Sequence, residues 1–196
     1  MYSLILAVIY AAFISLGLPD AILGAAWPSM QPQMAVPVSF AGIISMIISI
    51  GTVVSSLLSD RLNRKFGTGP VTAVSVFMTA AALFGFSLSG EFWMLCILAV
   101  PYGLGAGAVD AALNNYVALH YSSRHMSWLH CFWGIGASAG PYIMGLCLRS
   151  RLGWQSGYRT IAVAQFILTA ALFFSLPLWK KADKSLKSNN GSSGDN

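Results

Sequence analysis

Apolar residues run through this chain in long blocks rather than at alternating or heptad positions. Crossing about 30 Å of hydrocarbon takes about 20 apolar residues in a helix. On that measure the chain predicts six spans, at 3–28, 38–59, 68–89, 92–118, 127–148 and 157–178. Polar or turn-forming segments separate them: PSMQPQ, SDRLNRKFGTGP, SGE, HYSSRH and RSRLGWQSG. The spans must be helices, because lipid offers no partner to an open backbone. Pro19 and Pro101 predict kinks in the first and fourth. The first block lacks a basic start and exceeds the apolar region of a cleavable leader.

Composition agrees with the pattern. Of 196 residues, 56% are hydrophobic and 9% charged, against about 25% charged in soluble domains. Trp27, Trp93, Trp128, Trp154 and Trp179 fall at predicted span ends, where indole favours the interface. Trp133 alone is internal. Cys96, Cys131 and Cys147 lie inside apolar runs and read as packing residues, not a disulfide framework.

The net charge of +5 is confined to short connections and the C-terminal segment. It suits a membrane surface, not nucleic acid. Arg61, Arg64, Lys65, Arg124, Lys180, Lys181, Lys184 and Lys187 fall on one side, and Arg149, Arg151 and Arg159 on the other. That bias predicts cytoplasmic N- and C-termini and a multi-pass protein of the cell (inner) membrane. Residues 179–196 read as a basic, then Gly/Ser-rich, cytoplasmic tail or the start of a central loop.

Two acids interrupt the apolar blocks. Asp20 lies in GLPDAILG and Asp110 in GAVDAALN, ninety residues apart, and both segments read G-x-x-D-A-x-L. Each acid is in the first helix of a three-helix block, and the two blocks start in opposite directions. That is the pattern of an inverted repeat, whose binding sites lie near the repeat interface. On span 1, Tyr10, Phe13, Gly17, Asp20, Gly24 and Trp27 share one helical stripe; on span 4, Gly103, Gly107, Asp110 and Asn114 do. Intramembrane acids are costly and are functional candidates by default. The stripes therefore predict a cavity for a polar solute, with a protonated Asp in a helix contact as the alternative. His130 is either a cavity group or an interfacial anchor beside Trp128.

Other motifs read as packing. Gly42, Ser45, Ser49, Thr52, Ser56 and Ser59 make a small-residue seam on span 2, long enough to meet something beyond these six helices. Gly136, Gly140, Pro141 and Gly145 predict a bend and close packing in span 5. Gly136-Ala137-Ser138-Ala139-Gly140 formally matches a serine-hydrolase elbow. However, His130 lies about 12 Å along the same helix, and span 6 has no histidine, so no base is in place. Metal-ligand spacing and phosphate loops are absent from the sequence. No enzyme and no cofactor is predicted.

The segment SLLSDRLNRKFG, residues 56–67, resembles the loop between helices 2 and 3 of the major facilitator superfamily, G-x-L-x-D-R-x-G-R-R/K. Leu58, Asp60, Arg61, Arg64 and Lys65 match; Ser56 and Asn63 stand where the family has glycines. Asn63 tolerates a left-handed turn. The resemblance implies that Asp60, Arg61, Arg64 and Lys65 form a conformational gate. GLPDAILGAAWPSM, the glycine-rich segment around Asp110 and WLHCFWGIGASAGP further resemble the fucose-permease-type branch of sugar:proton symporters. This implies an all-α membrane fold of six helices in two inverted repeats, half of a twelve-helix transporter. It further implies a small solute, a sugar in that branch, driven by a proton gradient through Asp20 and Asp110; the helical stripes add Tyr10, Trp27 and Asn114 as site residues, and span 5 adds His130. The implied partner is a C-terminal six-helix half or a second copy of the chain. Efflux antiport and a non-transporting interaction module are the alternatives.

Overall fold

The computed structural model describes residues 2–191, and side chains for residues 4–179. It consists of helices joined by short turns, with no strand among the described residues: α1 (Tyr2–Gly17), α2 (Ile22–Met34), α3 (Phe40–Phe66), α4 (Thr68–Leu88), α5 (Phe92–His120), α6 (Ser123–Arg149) and α7 (Gly153–Gly191). Taking α1 and α2 as one broken span, six segments are long and apolar enough to cross a membrane. The side chains of Lys180, Lys181, Lys184 and Lys187 and the terminal residues 192–196 lie outside the described residues; the backbone of the predicted tail as far as Gly191 continues α7 instead of starting a flexible segment.

The first span departs most from expectation. It continues to Met34, beyond the predicted 28, and it breaks instead of kinking. Pro19 has no N–H to give the helix, and across the break the backbone closes only tight turns. Asp20 N donates to Gly17 O at 3.1 Å and Ile22 N to Pro19 O at 3.2 Å. Asp20 therefore sits in the break itself. Pro101, by contrast, lies within an uninterrupted α5.

Packing reflects the repeat. α3 runs along α5, and α6 along α1; α4 packs on α7. Exchanging the first three spans for the last three turns the first pair into the second and leaves the third unchanged. The close approaches match too. Gly17 of α1 lies against the α6 backbone at Trp133 and Ala137, and Gly107, ninety residues on, lies against α3 at Thr52.

Two apolar clusters fill the two ends of the bundle. One gathers Met30, Phe86, Tyr102, Trp154 and Tyr158, the other Ile9, Phe13, Val109, Tyr116 and Trp179. A thin polar layer separates them. Gln165, 1% exposed, donates Nε2 to Ser15 O at 2.8 Å and accepts from Thr79 Oγ1 at 3.0 Å. These bonds tie α7 to α1 and α4 at mid-height. Interhelical hydrogen bonds in membrane bundles average about 0.6 kcal/mol. Gln165→Leu keeps the volume and loses both bonds, so it is expected to cost about 1 kcal/mol in detergent unfolding, without loss of helix by circular dichroism.

The small-residue seam is divided: half of it packs on α5 and half is exposed. Thr52, Ser56 and Ser59 donate to the carbonyls of Gly103, Gly107 and Ala108 on α5, at 3.3, 3.2 and 3.4 Å. That half of the seam belongs inside the bundle, because hydroxyls buried against a helix need carbonyl partners. Only Gly42, Ser45 and Ser49 remain exposed.

Candidate functional site

The break in the first span and the stripe of α5 converge on a cavity of about 360 Å³. The first span contributes Phe13, Leu16 and Asp20; α3 contributes Ile48 and Thr52; α5 contributes Tyr102, Ala106 and Asp110; α6 contributes His130 and Trp133. Both acids face one space, at the level of the polar layer between the apolar clusters. Its remaining wall is largely aromatic and aliphatic.

Each acid has its own partner. Trp133 Nε1 donates to Asp20 Oδ2 at 2.7 Å. Asn114 Nδ2 donates to Asp110 Oδ1 at 3.0 Å and to the Asp110 carbonyl at 3.0 Å. His130 lines the cavity and presents its ring edge-on to Phe13, with centroids 6.2 Å apart. The arrangement offers two carboxylates, an imidazole and a threonine hydroxyl within a mainly apolar shell. Such a shell orients a small solute through few polar contacts.

The sequence-predicted residues divide accordingly. Asp20, Asp110 and His130 are brought together, and Asn114 reaches the site through Asp110. Tyr10 and Trp27 do not line it. The Tyr10 hydroxyl is 2.9 Å from His125 Nδ1, and its ring lies tilted by 30° against Phe132, with centroids 4.6 Å apart. Trp27, 5% exposed, lies beyond the helix break and donates Nε1 to Val38 O at 2.9 Å. One continuous stripe through span 1 was expected; the break at Leu18–Ala21 turns its two halves apart. Gly103 and Gly107 likewise face α3, and Tyr102 and Ala106 share the cavity side with Asp110. Trp133, Thr52 and Tyr102 are the residues the stripes missed. The signal for Trp133 was present, since it is the internal tryptophan.

The gate segment is helical. Residues Asp60–Phe66 form the last two turns of α3, and the connection to α4 is Gly67, at φ 87°. Asn63 is in the helix and donates to Ser59 Oγ at 3.3 Å, so Gly67, not Asn63, makes the left-handed turn. Arg64 pairs with Asp60 at 2.8 Å, both side chains more than half exposed. Exposed pairs of this kind contribute under about 1 kcal/mol to stability. On the far side of α6 from the cavity, Ser138 Oγ donates to Gly134 O at 2.9 Å, and no histidine lies beside it in its groove.

Comparison with known proteins agrees with the architecture. Synaptic vesicle glycoprotein 2C of Rattus norvegicus is 28% identical over 165 residues, covering 77% of this chain and 22% of that protein. An uncharacterized transporter, y4wD, of Sinorhizobium fredii is 25% identical over 122 residues, 59% of this chain and 32% of its own. The probable sphingolipid transporter spinster homolog 1 of Arabidopsis thaliana is 24% identical over 133 residues, 65% of this chain and 27% of its own. The chain thus spans about a fifth to a third of the length of these relatives. Residues 9–194, nearly the whole chain, match the Major Facilitator Superfamily, and the chain belongs to that family of multi-pass membrane transporters.

Proposed function

We propose that residues 1–178 act as the N-terminal half of a secondary active transporter that moves a small polar solute, a sugar, coupled to protons by alternating access. The observation that carries this reading is the pair of acids, ninety residues apart, on one cavity of about 360 Å³. Proton-coupled carriers need groups that exchange protons with water on each side in turn, and an intramembrane carboxylate can serve as one. A solute rich in hydroxyls can donate to Asp20 and Asp110, accept from His130 and stack on Trp133 or Tyr102. Drugs fit the apolar wall but leave the second acid unused.

A second six-helix half, or a second copy of this chain, completes the pathway. Support comes from α3 and α6, which are the least covered of the membrane-spanning helices. Gly42, Ser45 and Ser49 of α3 and Cys131, Ile135, Ser138 and Tyr142 of α6 are exposed. In this reading the basic end of α3 is cytoplasmic, the protein sits in the cell membrane, and Asp60, Arg61, Arg64 and Lys65 gate that side.

The test is reconstitution of the chain in liposomes holding a pH-sensitive dye, challenged with a panel of monosaccharides, beside a native mass measurement. Sugar-dependent proton movement by a dimer or a two-half complex is the expected result. Proton movement driven by cationic drugs instead would favour efflux antiport. If neither class of solute moves protons in any assembly, the transporter reading of this chain fails.

A further inference from the structure

A second cavity faces away from the first. Leu104 and Ala108 line it on α5, on the opposite side of that helix from Tyr102, Ala106 and Asp110. It is a groove of about 440 Å³ whose main walls are Leu58, Leu62, Phe66, Val74, Met78 and Leu104. Leu58, Phe66 and Val74 are exposed, so the groove opens sideways onto the bilayer. Its walls are almost wholly apolar. The hydroxyl of Ser55 is turned to Thr52 O at 3.2 Å. Ser75 adds one more hydroxyl to the lining, too few groups to orient a sugar or to give water the polar partners it needs.

A cation stands beside one wall of the groove. Phe66 forms part of the wall, and Lys65 Nζ lies 5.2 Å from the centre of its ring. Arg61 stands one turn earlier on the same helix, after Leu58 and beside Leu62. Arg64 is engaged with Asp60. An apolar slot at membrane depth, with Lys65 over its wall residue Phe66 and Arg61 one turn away where α3 leaves the membrane, matches one class of molecule. We propose that the groove binds an anionic phospholipid, one acyl chain lying along Leu62, Val74 and Met78 and the phosphate meeting Lys65 and Arg61.

The chain provides the probe for its own test. Purified protein, stripped of lipid, is titrated with phosphatidylglycerol, phosphatidylcholine or glycerol 3-phosphate. Retention is read by native mass spectrometry and the thermal unfolding midpoint. Each basic residue at a membrane surface favours an anionic lipid about fivefold, so phosphatidylglycerol should bind several-fold more tightly than phosphatidylcholine. Lys65→Gln, at an exposed position, should lower that preference about fivefold and leave phosphatidylcholine unchanged. Val74→Trp should fill the groove and weaken both lipids. Equal binding of the two lipids by the wild-type chain, or a preference unaltered in Lys65→Gln, would overturn the proposal. So would glycerol 3-phosphate competing with the lipid, since a headgroup site needs no groove.

Discussion

Asp110→Asn is expected to abolish uphill accumulation of solute while leaving exchange of labelled for unlabelled solute largely intact. The amide has nearly the shape of the carboxyl and still accepts from Asn114, which donates to Asp110 Oδ1 at 3.0 Å. Cavity geometry and the helix contact therefore survive. What is lost is the one carboxyl that α5 contributes to the cavity, and with it the proton that group would carry through the cycle. Solute binding should change by less than about tenfold, the scale of one neutral hydrogen bond, whereas the accumulation ratio should fall to equality across the membrane. Counterflow and gradient-driven uptake in the same proteoliposomes separate the two. The parallel change Asp20→Asn discriminates further. Asp20 Oδ2 accepts a hydrogen bond from Trp133 Nε1–H at 2.7 Å, a charge-assisted bond that neutralisation weakens. Its first effect should be on solute affinity and on Trp133 fluorescence. Wild-type accumulation by Asp110→Asn would remove Asp110 from the proton route.

Why the acids were legible and their partners were not follows from the range of each signal. A carboxylate in a run from Tyr2 to Trp27 is conspicuous whatever surrounds it, and the length of apolar runs alone set six spans close to where the helices lie. Helical stripes, in contrast, assume an unbroken helix. The break after Gly17 voids that assumption, so Trp27 was assigned to the cavity although its indole caps Val38. The loop reading of the segment around Asp60 failed in the same way. A polar, Asn-containing stretch reads as a loop, but α3 continues through it: Arg61, Leu62, Arg64 and Lys65 are good helix formers, Asp60 and Arg64 pair one turn apart, and the chain turns at Gly67, which takes a positive φ. Trp133 and Thr52 reach the site from α6 and α3, helices whose sequence order gives no hint of which face meets which. Only the pairing of α1 with α6 and of α3 with α5 decides that.

That pairing rests on glycines, and the second large effect is expected there. A Cβ placed on Gly140 would overlap the carbonyl oxygen of Leu18, and one on Gly136 would overlap that of Ile14 and lie 3.0 Å from Leu18 N. These are backbone atoms, which no rotamer change can move aside. Gly136→Ala and Gly140→Ala should each destabilise the bundle by about 1–3 kcal/mol, the cost of overpacking a close contact. Gly134 and Gly145 lie on the same helix with nothing within 4 Å of a built Cβ. Alanine there should be neutral or should stabilise by up to about 1 kcal/mol through helix propensity. Unfolding of the four variants in mixed micelles by denaturing detergent measures the difference, and equal behaviour of Gly140→Ala and Gly145→Ala would refute the α1–α6 contact. The consequence extends to the site, because α1 brings Phe13 and Leu16, the break brings Asp20, and α6 brings His130 and Trp133. Forcing the two helices apart pulls the indole from the carboxylate it holds. The stability defect and a loss of solute affinity should therefore appear together at positions 136 and 140, and neither at 134 and 145.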